Sequence, residues 1–360
     1  MSQNTKQNIT PFFEIDLEKI CYNYASVHNL LSEGNVDCIV AYAVKANYDE
    51  WILKTLKDSN AYFEICSPNE MALLKKCGVD EKKVIVNGCF SDYDFVNEKI
   101  QLGSIFFIDS VNQIDYLSEN VNVGIRINFD FWKKDDIHYN KKTSRFGVPL
   151  DGLAYCLAKL NKRKIRIVAL NFHSSGNDRS PEVYGKKLLI ARNIIDSLTL
   201  EHLRYIDLGG GFKIDEKFWA FEDYASEIKR SLKKLDLMKY GIMLELGNCI
   251  VRTACTYKTT VVSEKKIGEC KIINVDGSAL HLGIPNSYKV CMSVDKREKI
   301  KKQLIVGNSC KESDILTVLD DYPEIKKGDE VSFEDVGAYT MDNCQDYIVA
   351  RPNKVYKKSI

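Results

Sequence analysis

The chain carries almost no surplus charge: 51 basic residues against 50 acidic ones leave +1 at pH 7. The strongly basic footprint of a nucleic-acid binder is therefore missing. The lysines come in isolated pairs (Lys75-Lys76, Lys82-Lys83, Lys133-Lys134, Lys141-Lys142, Lys265-Lys266) beside acids or apolar residues. That is the pattern of a solvated surface, not of a binding stripe. No run approaches the ~20 apolar residues of a membrane span. Residues 1–10, MSQNTKQNIT, lack the apolar stretch of a secretory leader. The 12 cysteines include no CxxC pair. These absences predict a cytoplasmic protein with reduced thiols, no membrane contact and no metal, in which most cysteines, such as Cys38 and Cys156, fill the core. Low-complexity segments and internal repeats are also lacking.

What is present is 360 residues, 45% of them hydrophobic, enough for one large domain or two medium ones. Short apolar runs alternate with stretches of helical periodicity. Strands are predicted at 38–44, 62–65, 84–87, 105–108, 123–127, 167–172, 205–208 and 241–244. Helices are predicted at 22–32, 68–77, 91–102, 152–160, 182–197 and 224–235, with a further one starting at Asp49. Eight strands alternating with helices predict an α/β fold of the (β/α)8 TIM-like barrel type. After about residue 250 the texture changes to short β-branched strands: TACTYKTTVVSEK, CKIINVD, KQLIVG and DEVSFED. This reads as a C-terminal all-β, Greek-key-like domain, joined by the strand-like PFFEIDLEKI near the start. The expected division is 21–249 for the barrel and 1–20 with 250–360 for the β domain.

Function in such a barrel collects at the carboxyl ends of the strands. There the sequence has Lys45 after strand one, SPNE after strand two and Arg126 late in strand five. HSSGND follows strand six, GGGF follows strand seven, and Glu245 follows strand eight. Each alone has an ordinary reading: a surface ammonium, a satisfied core histidine, a turn. Six on one predicted rim ask for a common cause. Gly209, Gly210 and Gly211 let backbone N–H groups approach an anion, and phosphate sites in barrels commonly follow strands seven and eight. An amine partly deprotonated by burial or a cationic neighbour can form a Schiff base. A carboxylate such as Glu245 can hold a protonated ring nitrogen, and the flat imidazole of His173 can stack on a ring. Lysine, carboxylate and phosphate cradle together are what a pyridoxal 5'-phosphate site needs.

The same segments resemble a known family, the fold type III pyridoxal-phosphate decarboxylases, which include the ornithine/arginine and diaminopimelate enzymes and share an alanine racemase-like barrel. YAVKAN looks like the family's cofactor-lysine motif, FEICSPNE its strand-two motif and GIRIN the segment whose arginine lies near the ring hydroxyl. SRFG matches a common loop, IDLGGGF the phosphate loop, ELGNCIV the Glu-Pro-Gly-Arg segment, GNSCKESD the cysteine motif and EDVGAYT a motif near the C-terminus. They run in family order from about Pro11 to Tyr339. The resemblance implies an amino-acid decarboxylase in which Lys45 carries the cofactor as a Schiff base and His173 stacks on its ring. Arg126 lies near the ring hydroxyl. Gly209, Gly210, Gly211 and Tyr339 hold the phosphate, and Glu245 pairs with the ring nitrogen. Cys310 protonates the carbanion left when carbon dioxide departs. In the family the cysteine motif reaches the site from the other subunit, which implies a homodimer with active sites shared across the interface.

Four departures bear on binding. His-Val-Gly-Ser reads His173-Ser174-Ser175-Gly176, which passes a phosphate contact to Ser175. Glu-Pro-Gly-Arg reads Glu245-Leu246-Gly247-Asn248. Asn248 then replaces a cation at the phosphate, where a charge-assisted bond is roughly twice as strong as a neutral one; Arg145 is a candidate to compensate. The acid that follows the cysteine in basic-amino-acid decarboxylases is here Lys311, with Glu312 next and Asp314 closing the motif. A lysine facing a substrate ammonium costs several kcal/mol. A substrate with a carboxyl-bearing or conjugated far end follows, in a specialised, siderophore-like biosynthetic pathway, read by Lys311, Glu312, Asp314 and Asp346. Finally, DNCQDYIVARP makes a more polar wall than relatives have, through Cys344, Gln345 and Asp346. The competing readings are a decarboxylase of diaminopimelate or of free ornithine or lysine, a non-catalytic regulator, a single-barrel cofactor carrier and a racemase. The retained Lys45, His173, Glu245, Cys310 and Tyr339 argue against the regulator. The β domain argues against the carrier, and the cysteine motif and GGGF against the racemase.

Overall fold

A computed structural model of the chain describes residues 9–129, 144–174, 179–214, 219–283, 288–292, 296–345 and 347–357. It divides into two compact units. Cys21–Cys249 form one, and the described residues up to Ile20 form the other together with those from Ile250 onward.

The first unit is a closed ring of eight parallel strands: Cys38–Ala43, Tyr62–Ile65, Val84–Asn87, Ile105–Ile108, Asn122–Asn128, Arg166–Asn171, Tyr205–Asp207 and Gly241–Leu246. They are called barrel strands one to eight below. Strand eight pairs with strand one in the register Glu245↔Ala41, and strand four closes on strand five through Phe107↔Gly124. These strands read as continuous apolar runs because both of their faces are covered. Ala41, Ile85, Phe107, Ala169 and Met243 fill the barrel's interior as one packed layer. Gly124 belongs to this packing: a Cβ there would stand 2.3 Å from the Phe107 ring.

Helices follow the strands where the sequence supplies caps. Asp49 accepts from the Trp51 and Ile52 amides and starts Glu50–Asp58. Ser67 accepts from Glu70 N–H and starts Pro68–Lys76, and Asp92 accepts from Phe95 N–H and starts Tyr93–Gln101. The first helix, Leu17–Ser32, begins five residues before the predicted 22. The signal was Asp16, whose carboxylate accepts from Lys19 N–H.

The second unit is a mostly antiparallel sheet in the order Lys289–Cys291, Glu330–Glu334, Cys255–Ile267, Cys270–Val275, Lys299–Val306, Ile315–Pro323. Phe12–Asp16 pairs with Cys255–Ile267 and, in parallel, with Asn353–Lys357. Lys289–Cys291, Ile315–Pro323 and Asn353–Lys357 escaped the sequence reading. They lie at the sheet's margins, where charged side chains interrupt the apolar alternation.

The expectation that most cysteines fill the core is corrected. Five of the twelve are buried (Cys77, Cys156, Cys249, Cys255, Cys344), and Cys38 is only partly so. Among the described residues no helix is long and apolar enough to cross a membrane. No group of three or more His, Cys, Asp or Glu side chains there is placed to hold a metal.

Candidate active site

The carboxyl ends of the barrel strands bring together a set of charged groups that an apolar core tolerates only in pairs. Lys45 sits in a short turn, Val44–Ala46, directly after strand one. Its ammonium donates to both oxygens of Glu64, at 2.7 and 2.6 Å, and Glu64 is buried at the middle of strand two. Burial alone would depress the lysine, but Glu64 and Glu245 hold its proton more strongly and raise it. Burial pushes the Glu64 carboxyl up to about 7, against the pull of Lys45. The expectation of an amine partly deprotonated by burial or a cation is thus corrected: the near neighbours are carboxylates, and the resting amine is an ammonium. Arg126, on strand five, faces Asp109 at 3.7 Å and stacks over the ring of Phe146. Arg145 stacks on the same ring from an exposed position.

Glu245 lies within strand eight, one residue before its end, not after it. Its Oε1 accepts from Asn87 Nδ2 at 2.8 Å. Burial and the neighbouring Asp207 push its carboxyl up to about 8. Asp207, on strand seven, is raised too, mainly by burial, although it accepts from Gly209 N–H and from Asn171 at 2.8 Å each. The buried ammonium of Lys187, on helix Pro181–Ser197, finds in Asp207 its strongest opposing charge. Two cations therefore have a carboxylate each, Lys45 with Glu64 and Arg126 with Asp109. Among the described residues Glu245 has no lysine or arginine at ion-pair distance, and His173 Nδ1 lies 3.6 Å from its Oε2.

The glycine run is held from every side. The Leu208 carbonyl accepts from Lys187 Nζ at 2.7 Å, the Gly209 carbonyl from Glu245 N–H at 3.1 Å and the Gly210 carbonyl from the Tyr184 hydroxyl at 2.9 Å. Gly210 N–H donates to His173 Nδ1 at 3.1 Å. A Cβ on Gly210 would stand 2.1 Å from the Glu245 carbonyl oxygen, and one on Gly209 2.7 Å from His173. Only glycine lets the loop lie this close. This refines the expectation of three equivalent phosphate donors. The amides of Gly209 and Gly210 already have internal acceptors, whereas Gly211, at φ +106°, has none of these bonds. Because His173 Nδ1 accepts, the proton of the neutral ring sits on Nε2. Burial, with Arg126, Lys45 and Lys187 nearby, holds the imidazole well below its usual range and so uncharged.

The remaining expectations divide. Asn248 opens the short helix Asn248–Val251 directly after strand eight and is half-buried. Cys310, Lys311 and Glu312 are exposed in the second unit, with Lys311 Nζ 5.8 Å from the Tyr347 ring centroid. Tyr339, also in that unit, is half-buried with φ +57°. Asp314 is corrected: it is buried, and its carboxylate accepts from the Ser278 and Ser309 hydroxyls and from the Ala279 and Ser309 amides. A carboxylate so committed pins its own loop and is not available to a substrate. Ser175 and Asp346 lie outside the described residues. Glu64, Asn87, Asp207 and Lys187 were not singled out from sequence. Their signals were polar residues inside otherwise apolar strands and, for Asp207, the position two before Gly209.

A barrel mouth with a paired lysine, a neutral imidazole and a closely packed glycine loop has the parts that would hold an aldehyde cofactor bearing an anionic group. Two further marks fit such a guest: among the described residues the buried Asn87 Oδ1 and Arg126 Nε have no hydrogen-bond partner, and Glu245 feels Lys45 and Arg126 without an ion pair to either. Residues 17–252 match the family model for the pyridoxal-dependent decarboxylases, pyridoxal binding domain, and the chain belongs to that family. It is a carboxy-lyase whose cofactor is pyridoxal phosphate. The chain is 26% identical to a diaminopimelate decarboxylase of Aquifex aeolicus, over 84% of this chain and 76% of that one. It is 25% identical to a lysine/ornithine decarboxylase of Selenomonas ruminantium, over 92% and 85%. In fold it is similar to the arginine decarboxylase of Paramecium bursaria Chlorella virus, with a TM-score of 0.82 at 20% identity, covering 97% of this chain and 96% of that one.

Proposed function

We propose that this carboxy-lyase removes the α-carboxylate of a diamino acid whose far end itself bears a carboxylate. The observation that carries the reaction is the carboxylate of the barrel mouth that makes no ion pair with lysine or arginine among the described residues: Glu245, buried with the neutral His173 3.6 Å from its Oε2. When bound, pyridoxal phosphate supplies an electron sink for the pair left by the departing carboxylate. Lys45 would hold the cofactor through its amine, and Glu64, bonded to that amine through both oxygens, is placed to accept the proton the amine must shed. Glu245, oriented by Asn87, would pair with the ring nitrogen. His173 would offer an uncharged face for stacking, its Nδ1 fixed by Gly210 N–H. Gly211 would donate its amide to the phosphate, with Asn248 and Tyr339 as further donors. Cys310 holds the proton that the substrate carbon takes up. The parts of Cys310 and Tyr339 rest on their motifs.

The substrate's far end is read from Lys311 and Glu312. Two exposed, adjacent and opposite charges suit a far end that is itself zwitterionic, such as that of diaminopimelate, better than a bare ammonium. The diaminopimelate decarboxylases among the relatives support this reading; none of the relatives named above points to a siderophore-like pathway. The test is carbon dioxide release from diaminopimelate, carboxylated diamine conjugates, ornithine and lysine side by side. Efficient turnover of free ornithine or lysine, with none of diaminopimelate, would sink the anionic far end. We further propose a cytoplasmic homodimer in which Cys310 serves the partner's barrel. Mixing K45A with C310A chains then restores about a quarter of the wild-type activity, since half the pairs are mixed and each has one whole site. No recovery counts against sharing.

A further inference from the structure

A phosphate monoester carries close to two negative charges at neutral pH, and Asn248 stands where the family motif has an arginine. The cations already described in the barrel mouth are engaged. Lys45 is held by Glu64, Arg126 faces Asp109, and Lys187 donates to the Leu208 carbonyl. Arg145, the sequence's candidate to compensate, lies with Arg126 over the ring of Phe146. A further guanidinium, Arg179, is exposed and makes no side-chain hydrogen bond or ion pair among the described residues. Its backbone is fastened to the glycine loop. Tyr224, on helix Phe221–Lys234, donates its hydroxyl to the Arg179 carbonyl at 2.6 Å, and the same oxygen accepts Lys213 N–H at 2.9 Å. Those two backbone atoms thus lie within about 5.5 Å of each other. The Tyr224 ring stacks on Phe212, with centroids 4.1 Å apart. Tyr184, in the first turn of helix Pro181–Ser197, donates to the Gly210 carbonyl at 2.9 Å. Residues 179–184 are therefore tied to residues 210–213 on both sides of Gly211. The flank of Gly211 itself is open: among the described residues a Cβ there would meet only the Tyr184 hydroxyl, at 3.7 Å.

We propose that Arg179 supplies the phosphate with the cation that Asn248 does not, reaching it from the loop after barrel strand six while Gly211 N–H holds it from the loop after strand seven. The inference rests on the proposed seat of the phosphate at Gly211. Tyr224 fixes where the arginine's backbone stands and leaves its side chain uncommitted, which suits a group that meets its partner only when the cofactor arrives. A guanidinium matches phosphate with a planar fork of donors, and a charge-assisted bond is roughly twice as strong as the neutral one that Asn248 can offer. The charge is felt around the loop already: burial dominates the ionisation of His173, Tyr184 and Tyr224, and Arg179 is a cation that acts on all three.

The experiment measures the affinity of cofactor-free protein for pyridoxal phosphate and for pyridoxal, which lacks the phosphate, from the visible absorbance of the bound aldehyde. It uses the wild type, R179Q, R179K, R145Q, K213Q and the double variant R179Q/N248R, with circular dichroism as the fold control. R179Q keeps the carbonyl that Tyr224 holds and removes only the charge. The expected result is roughly tenfold weaker binding of pyridoxal phosphate by R179Q, with the affinity for pyridoxal unmoved. R179K keeps most of the preference for the phosphorylated aldehyde, and adding N248R to R179Q restores it. An unchanged ratio of the two affinities in R179Q overturns the inference. So does an equal loss for both aldehydes, which would make Arg179 a packing residue of its loop. A loss confined to R145Q or K213Q assigns the charge to that residue and overturns it as well. A wild type that binds both aldehydes alike would instead remove the phosphate site at Gly211, leaving Arg179 without an object. Should R179Q fail to fold, R179M takes its place.

Discussion

The loop after barrel strand seven and the loop that carries Cys310 are each pinned by a buried aspartate, and they put it to opposite use. Asp207 holds Gly209 N–H; Lys187, Glu245 and Tyr184 hold the carbonyls of Leu208, Gly209 and Gly210, and His173 holds Gly210 N–H, while the amide of Gly211 has none of these bonds. Asp314 accepts four donors from Ser278, Ala279 and Ser309 at the base of its loop and leaves the side chains of Cys310, Lys311 and Glu312 exposed. One loop presents backbone on a rigid bed; the other presents side chains from a fixed stem. Backbone recognition suits a constant group such as the cofactor phosphate. Side chains can be exchanged without disturbing the stem.

The contrast can be broken in order of expected effect. Lys45→Ala should abolish the visible absorbance of the bound cofactor and lower decarboxylation by about 10³-fold or more, because it removes the attachment itself. Residual turnover near the wild-type rate would mean another amine does that work. Asp314→Ala should lower stability by about 3 kcal/mol in denaturant unfolding, since buried hydroxyl and amide donors lose their acceptor. An unchanged midpoint would show that the stem does not depend on it.

Glu245→Gln tests the barrel side through pH. The carboxyl of Glu245 is raised in the folded protein, so folding favours its protonated form. Wild-type cofactor-free protein then loses stability relative to E245Q as pH rises from about 4.5 to about 8, by up to ~1.4 kcal/mol per pH unit. Parallel stability curves for the two proteins would contradict the burial of an unmatched carboxylate. The smallest effect should come from Lys311→Glu. Thermal stability stays within about 0.5 kcal/mol because the side chain is exposed. The ratio of kcat/KM for diaminopimelate over lysine falls by roughly tenfold as the site turns toward a bare ammonium. An unmoved ratio would assign the reading of the far end elsewhere.

The barrel was legible because its strands are mostly apolar runs set between helical stretches, and the candidate site because Lys45, Arg126, His173, Gly209 and Glu245 fall at or near the strands' carboxyl ends. The charge balance was not. Glu64 hides inside YFEI and Asn87 inside VIVN, where the apolar pattern draws attention to their neighbours. Lys187 follows Lys186 on a helix and looks like half of another surface pair, yet it is buried. Which of two adjacent lysines points inward depends on helix phase to within a fraction of a turn. Asp314 misled in the opposite sense: a charged residue in a functional motif reads as a contact, and only the four donors around it reveal a structural part.

The bonds around Leu208, Gly209 and Gly210 carry a mechanical consequence. Lys187 and Tyr184 stand one turn apart on helix Pro181–Ser197, so that helix and the loop open or stay closed as one cooperative piece. Amide exchange of Gly209 and Gly210 should then follow that of the helix rather than that of an ordinary surface turn. Cofactor release by heating would track the loosening of this single segment, well before the eight-stranded ring gives way.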